Sequence, residues 1–175
     1  MTKKDQQKPE YYQDYLELDR ILNSQHPNSA KQGKYAHDEM LFIIIHQAYE
    51  LWFKQVLFEL DSIINAFDRD VIRESHIGIA VSRLSRIIEI QRILIDQIQV
   101  LETMTPMDFL DFRDLLTPAS GFQSIQFRLI ENKLGLTAEN RYEYGHRDYK
   151  SQMHNEHQMI LERSETSPSL FELVE

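Results

Sequence analysis

The longest apolar stretch of the chain covers residues 37–67, HDEMLFIIIHQAYELWFKQVLFELDSIINAF. Neither Gly nor Pro interrupts it, so it predicts one helix of about eight turns with Asp38 as its N-cap. Residues 40–45 are apolar on every face, and we therefore expect this end of the helix to be buried all round. Glu39 and Glu50 bracket those residues, which makes the apolar run too short to cross a bilayer.

Residues 71–103 carry apolar side chains at the three- and four-residue spacing of a second long helix. The stripe expected to be buried consists of Ile77, Val81, Leu84, Ile88, Leu94, Ile95, Ile98 and Leu101. The charged positions between them, such as Arg83 and Arg86, are interpreted as a solvated face. The predicted fold class is therefore all-α, a helical bundle built on two long antiparallel helices (about 38–67 and 71–103) with shorter helices around them.

The remaining segments are shorter and more polar. Helices are predicted at residues 10–23, 122–133 and 152–163, and a fourth begins at Thr105, which is followed by a proline and a possible capping-box aspartate. Residues 1–9 are expected to be flexible, and residues 24–36 and 136–149 to be loops. At 175 residues the chain is too short to make two domains the better prediction, so we expect a single all-helical domain over 1–175.

The chain stops just as another helical pattern begins. Ser169 and Glu172 have the spacing of a capping box, and residues 170–175 start an apolar helix too short to be stable by itself. We therefore expect the sequence to be the N-terminal part of a longer protein.

Composition and charge exclude several classes of function. The chain has no cysteine, which excludes disulfides, thiolate catalysis and cysteine-based zinc or iron–sulfur sites. The net charge of −9 disfavours nucleic acid as a partner. The lysines near the N-terminus are not followed by an apolar core, so no signal peptide is predicted, and a cytoplasmic protein without a membrane partner is expected.

The most unusual residue chemically is His46, which follows five apolar residues. Phe42 lies one turn before it and Glu50 one turn after it, on the same face of the helix. One interpretation is a structural histidine whose ring nitrogens are satisfied. The other is a neutral pocket histidine that is oriented by Glu50 or by a backbone group.

A second pair repeats this arrangement, because Phe109 and Arg113 are also four residues apart on a predicted helix. Arg113 could simply pair at the surface with Asp114 or with neighbours on the side of Phe109. Alternatively, two helices that each present an aromatic ring and a polar group would suit a flat aromatic ligand with a carboxylate, which arginine binds through two parallel hydrogen bonds.

Other candidate groups have competing structural interpretations. Backbone N–H groups near Ser120 and Gly121 would point ahead of the helix that follows them. Tyr12 and Tyr15 share a face and could be ordinary packing residues or a lid over a pocket. The pairs His154/His157 and Glu143/His146 have metal-ligand spacing, but surface histidines are the better interpretation of such isolated pairs, and no metal ligand is predicted.

Three segments together resemble the tryptophan 2,3-dioxygenase family: YLELDRILNSQHP, HDEMLFIIIHQAYELWFKQVLFELDSI and LETMTPMDFLDFRDLLTPASGFQSIQFRLIENKLG. The resemblance extends from about residue 11 to residue 175. It implies an all-helical fold, heme b as cofactor, and insertion of O2 into the indole ring of L-tryptophan to give N-formylkynurenine. It also implies a homotetramer in which N-terminal segments reach a neighbouring active site.

The resemblance assigns roles to individual residues. His46 would be the catalytic distal histidine that hydrogen-bonds the indole N–H, with Phe42 against indole and heme, and both residues would contact the cofactor. Substrate would also be bound by Arg113, at its carboxylate, and by Phe109, Ser120, Gly121, Tyr12 and Tyr15, the two tyrosines arriving from a partner chain.

This chain departs from the family pattern in three ways. Phe109 stands where some members have Tyr, and Ile98 where some relatives place a Trp beside the heme. The proximal histidine that ligates the iron belongs to the family's second half, and no histidine here lies in the corresponding motif. We therefore expect a chain that is not competent alone, the alternative being a non-catalytic helical binding or oligomerisation module that retains the substrate-side wall.

Overall fold

A computed structural model of the chain describes residues 11–69, 71–141, 149–151 and 153–175. All the regular elements within those ranges are helices, which confirms the predicted all-α class. The α-helices are α1 (Tyr12–Tyr15), α2 (Leu18–Leu22), α3 (Asn28–Lys31), α4 (Asp38–Phe67), α5 (Glu74–Leu101), α6 (Pro106–Arg113), α7 (Ile125–Leu134), α8 (Asn155–Glu165) and α9 (Leu170–Val174). Short 3-10 turns occur at Gly121–Gln123 and Ala138–Asn140. Among the described helices, none is long and apolar enough to span a membrane.

The core lies between the two long helices, α4 and α5, and is completed by α7 and α9. Tyr49 contacts Leu94 while Glu59 contacts Arg83, so residue numbers run in opposite directions along the pair and the helices are antiparallel, as predicted. The buried core residues are Val56, Leu60, Ile63, Ala80, Ile87, Ile90, Leu94, Ile130 and Leu170. At about 25 cal/mol per Å² of apolar surface removed from water, this shared burial is what holds the helices together.

The buried stripe predicted for α5 is wrong over most of its length. The face packed against α4 contains Ala80, Ile87, Ile90 and Leu94. The other predicted residues include five that are between 46% and 66% exposed: Ile77, Val81, Ile88, Ile95 and Ile98. Two faces of this apolar helix satisfy the same three-and-four spacing, and contact with α4 determines which one is buried.

The start of α4 also differs from the prediction. His37, with helical backbone angles, is the N-cap, and Asp38 is already the first helical residue, because the turn before it joins the helix directly. Within residues 40–45 only Ile45 is buried, and Ile44 is 48% exposed. Among the described elements, α6 packs on this end of α4, whereas the side bearing Ile44 is not covered.

The N-terminal region forms two short helices instead of one. Glu17 adopts a left-handed conformation with φ of 51°, which separates α1 from α2. Residues 24–36 are mainly irregular, as predicted, but contain the short helix α3. The prediction of flexibility for residues 1–9 falls outside the described residues.

Capping residues define the shorter helices. The predicted box of Thr105 and Asp108 begins α6, and that of Ser169 and Glu172 begins α9. Helix α7 begins at Ile125, three residues later than predicted, because Ser124 caps it separately from the 3-10 turn before it.

The end of α7 is fixed by Gly135, which has a positive φ of 99°. A Cβ at this glycine would lie 2.7 Å from the Cβ of Phe171, so the close approach of α9 requires glycine there. Part of the loop predicted for residues 136–149 lies outside the described ranges, as do Glu143 and His146. Helix α8 starts at Asn155, after the predicted position.

Candidate functional site

The backbone of α4 orients the ring of His46. Its Nδ1 lies 2.7 Å from the carbonyl oxygen of Phe42, and the two rings are 4.1 Å apart at their centroids. Because a carbonyl oxygen can only accept a hydrogen bond, Nδ1 carries the proton in the neutral imidazole and Nε2 is left as an acceptor. The histidine is therefore oriented by a backbone group and presents a lone pair to its surroundings.

Glu50 does not take part in orienting His46. Gln126 on α7 donates from Nε2 to the carboxylate of Glu50 at 2.7 Å and to its backbone oxygen at 2.8 Å. The glutamate therefore fastens α7 to α4, and the alternative in which it orients the histidine is wrong.

Three phenylalanine rings hold α6 against the start of α4. Phe42 lies 5.9 Å from Phe109 and 5.6 Å from Phe112, and Phe109 contacts Phe112 edge to face at 5.4 Å. Phe112 is fully buried and anchors the cluster. The two pairs predicted from sequence, each with an aromatic ring and a polar group one turn apart, therefore lie on adjacent helices.

The guanidinium of Arg113 is exposed and has no partner among the residues that the structure describes. It forms neither a hydrogen bond nor an ion pair with any residue that the structure describes, so the predicted surface pairing with Asp114 is wrong. A free guanidinium beside an aromatic cluster can bind a carboxylate in bidentate fashion.

A cavity of about 270 Å³ lies next to His46, between α4, the end of α5 and the start of α7. It is lined by Ile45, His46, Tyr49, Glu50, Phe53, Leu101, Gly121, Ser124 and Phe127. The hydroxyl of Tyr49 donates to the carbonyl oxygen of Leu94, and burial raises the pKa of this phenol. Tyr49 therefore presents its ring, and not its hydroxyl, to the cavity.

Sequence reasoning missed the aromatic lining residues Tyr49, Phe53 and Phe127. Phe53 contacts both other rings, at 6.0 Å and 5.5 Å between centroids. Tyr49 and Phe53 follow His46 at spacings of three and seven residues, so the same face of the helix could have indicated them.

Ser120 and Gly121 differ in their surroundings, and only the expectation for the backbone N–H of Ser120 is wrong. The N–H of Ser120 donates to Oε1 of Gln123 at 3.1 Å, and its hydroxyl accepts from the N–H of Phe122 at 3.3 Å. Ser120 therefore caps the 3-10 turn, and its backbone N–H does not point ahead of a free helix terminus. Gly121 does line the cavity.

The remaining candidates lie apart from this cavity. Tyr12 and Tyr15 are 69% and 70% exposed, and neither phenol makes a hydrogen bond or ring contact within the described part of the chain. His154 and His157 have ring centroids 6.1 Å apart on α8. The described residues contain no group of three or more metal-ligating side chains.

Comparison with known proteins gives a consistent result. A family profile described as tryptophan 2,3-dioxygenase matches residues 2–175. The tryptophan 2,3-dioxygenase of Bdellovibrio bacteriovorus is 53% identical over 167 residues, covering 95% of this chain and 46% of that protein. Those of Dictyostelium discoideum and Xenopus laevis are each 52% identical, and the matches cover 42% and 41% of those proteins. The chain therefore spans less than half the length of these curated relatives.

Proposed function

The chain belongs to the tryptophan 2,3-dioxygenase family, and we propose on that premise that it forms the substrate-side wall of a heme-dependent dioxygenase. The reaction is insertion of both atoms of O2 into the indole ring of L-tryptophan to give N-formylkynurenine. The observation that carries this proposal is Nε2 of His46, which has no hydrogen-bond partner among the described residues and lies beside the aromatic contact between α4 and α6.

Each polar group of the site matches one part of the substrate. The indole N–H is a donor, and Nε2 of His46 is left as an acceptor by the bond from Nδ1 to Phe42. The carboxylate is matched by the unpaired guanidinium of Arg113. The rings of Phe42 and Phe109 contact the indole, and Phe109 contributes only apolar surface because it has no hydroxyl.

The described residues fit one face of a heme group. The cavity wall beside His46 is predominantly aromatic and aliphatic, as a porphyrin face requires. His46 lines this cavity and Phe42 packs against the histidine ring, and both residues would contact the cofactor. Heme, when bound, supplies the chemistry of O2 activation. The protein residues hold the indole in a fixed orientation and keep water from the reacting carbon atoms.

In this proposal His46 is a hydrogen-bond partner of the substrate and not an obligatory base. Its Nδ1–H bond to a backbone carbonyl fixes the tautomer of the neutral ring, which leaves Nε2 as the acceptor for the indole N–H. The histidine therefore contributes orientation, and its removal leaves residual turnover.

The assembly and location of the protein form part of the same proposal. The family resemblance implies a cytoplasmic homotetramer in which Tyr12 and Tyr15 of one chain approach the site of another. The high exposure of both phenols supports this role. We expect Tyr12→Ala to increase KM for L-tryptophan without changing the stability of the isolated chain.

Labelled oxygen tests the proposed reaction. The assay uses the heme-loaded protein at its natural length, here termed the holoenzyme, with L-tryptophan under oxygen-18 gas. We expect mass spectrometry to find two labelled atoms in each molecule of product. Product with one labelled atom would contradict dioxygenation, and binding of tryptophan without turnover would favour the non-catalytic binding module instead.

A further inference from the structure

A buried carboxylate ties the segment before α4 to the helix that carries the candidate site. Glu39 is 1% exposed, and its two oxygens accept the backbone N–H groups of Asn28 at 2.7 Å and Ser29 at 2.9 Å. The hydroxyl of Ser29, itself fully buried, accepts the N–H of Ala36 at 3.1 Å. The first end of the turn that contains α3 is therefore fixed to α4 through Glu39, and the other end is closed onto Ser29.

The same turn reaches across to the end of α6. The side-chain Nδ2 of Asn28 donates to the backbone oxygen of Leu115 at 3.3 Å. Its Oδ1 accepts from Nζ of Lys31 at 3.0 Å, which fixes the orientation of the amide. Leu115 is only two residues beyond Arg113, in the turn that ends α6.

These contacts form a continuous connection from α4 to the turn that follows α6. The carboxylate of Glu39 holds the backbone of Asn28, and the amide of Asn28 holds the turn that follows Arg113. Phe112, whose backbone oxygen accepts the N–H of Leu115, also packs its ring against Phe42 on α4. The connection therefore spans the gap between the helix that bears His46 and the helix that bears Arg113.

We infer that Glu39 and Asn28 are positioning residues that set the place of the Arg113 guanidinium relative to the aromatic wall. This inference rests on the proposed function, because it assumes that Arg113 binds the substrate carboxylate. Neither positioning residue touches substrate in this account. Their contribution is to prevent the turn after α6 from moving away from α4.

The ionisation of Glu39 is consistent with this role. Burial alone would raise the pKa of Glu39, but hydrogen bonds from Ser29 and Asn28 outweigh it and keep the pKa below its ordinary value of 4.5. The carboxylate is therefore charged at neutral pH and accepts strong, charge-assisted hydrogen bonds from the turn.

A double-mutant cycle in the holoenzyme tests the connection. Asn28→Leu keeps the branched arrangement of side-chain heavy atoms but removes the amide donor to Leu115. We expect it to raise both KM and the calorimetric Kd for L-tryptophan about three- to tenfold, the effect of losing about one hydrogen bond, with kcat changed less than twofold. In an Arg113→Ala background the same substitution should have no further effect, because the group that it positions is absent.

Two further variants separate positioning from general destabilisation. Glu39→Gln should likewise raise KM with little change in kcat. In the Arg113→Ala background this rise in KM should be absent. Gln158→Leu is the matched control, because it removes amide donation to the backbone oxygens of Lys150 and Met153 on a distant part of the chain. We expect this control to leave KM unchanged.

The results separate failure of the positioning role from failure of carboxylate binding by Arg113. An unchanged KM in Asn28→Leu, or the same increase with and without Arg113, would overturn the positioning role while leaving carboxylate binding intact. If Arg113→Ala itself left KM unchanged, carboxylate binding by this residue would be wrong, and the inference would fail with it.

Discussion

The two halves of α4 are continuous helix but have different neighbours. In the C-terminal half, Val56, Leu60 and Ile63 are at most 2% exposed and pack into the core with α5. In the N-terminal half, residues 40–45 form the more continuous apolar run, yet only Ile45 is buried. Hydrophobicity along the helix therefore does not predict which half is buried by the described chain.

Each half also has one buried glutamate, and the two are held differently. Glu59 is 2% exposed and pairs with Arg86 at 2.5 Å and Arg83 at 3.6 Å, both from α5. Glu39 instead accepts backbone N–H groups of the turn before α4. One carboxylate joins the two core helices, whereas the other orders a segment beside the candidate site.

The difference indicates a division of roles within a single helix. The C-terminal half stabilises the fold through burial, and in the proposed function the N-terminal half presents Phe42 and His46 to the substrate. Substitutions of the core residues in the C-terminal half should therefore change the free energy of unfolding, and substitutions of Phe42 or His46 should change substrate kinetics.

The largest expected effect is on stability. Leu60→Ala removes a fully buried side chain and should lower the free energy of unfolding by about 2–5 kcal/mol, through lost burial and the cavity left behind. Urea denaturation followed by circular dichroism measures this loss in the 175-residue chain. A change of less than about 1 kcal/mol would contradict the assignment of the core.

The next effect is on substrate binding. Arg113→Ala in the holoenzyme should raise KM for L-tryptophan about 10- to 150-fold, corresponding to a charge-assisted contact of about 1.5–3 kcal/mol. Because Arg113 is exposed and has no partner among the described residues, thermal stability should not change. A stability loss without a change in KM would indicate a structural arginine.

A smaller effect is expected at the histidine. His46→Ala should lower kcat/KM for L-tryptophan roughly three- to tenfold, as expected for loss of one hydrogen bond, and leave residual activity. The control substrate is 1-methyl-L-tryptophan, which has no indole N–H to donate. For this substrate we expect the same kcat/KM in His46→Ala and in the unsubstituted protein. Equal losses for both substrates would contradict the proposed bond.

The pH dependence of the unfolding free energy tests the contribution of Glu39, the buried carboxylate near the N-terminus of α4. The pKa of Glu39 is lower in the folded chain than its ordinary value of 4.5, so its stabilisation is present above that pH and is lost as the pH falls further. The difference in unfolding free energy between the unsubstituted chain and Glu39→Gln should therefore shrink below pH 4.5. A pH-independent difference would contradict this assignment.

The smallest effect should occur at Ile44, which is 48% exposed in the apolar half of α4. Ile44→Ala should change the unfolding free energy of the 175-residue chain by less than about 0.5 kcal/mol, as for other surface positions. Urea denaturation beside Leu60→Ala gives a matched comparison of the two halves. A loss similar to that of Leu60→Ala would remove the distinction between them.

Local patterns were sufficient to predict much of the fold. Apolar spacing predicted both long helices, and the boxes that begin at Thr105 and Ser169 predicted the start of two shorter ones. The break at Glu17 could not be predicted, because glutamate seldom adopts a left-handed conformation and no glycine marks the turn. The buried face of α5 depends on its contact with α4, which spacing alone does not specify.

The candidate site was predictable only where its residues lie one turn apart on one helix. That spacing identified Phe42 with His46 and Phe109 with Arg113, while their roles came from the family resemblance. The burial of Glu39 depends on Asn28 and Ser29, which adopt the required positions only once the turn has folded. A glutamate near a helix start is normally solvated, so its sequence context gave no indication of burial.

The most direct test of the account is the protonation state of the His46 imidazole, measured by nitrogen NMR on the holoenzyme with isotopically labelled histidine. The diamagnetic ferrous carbon monoxide form would be used, with His46→Ala identifying the signals. We predict a neutral ring protonated at Nδ1, whose Nε2 resonance shifts on binding L-tryptophan but much less on binding 1-methyl-L-tryptophan. A ring protonated at Nε2, or equal shifts with both ligands, would contradict the claim that this histidine accepts the indole N–H.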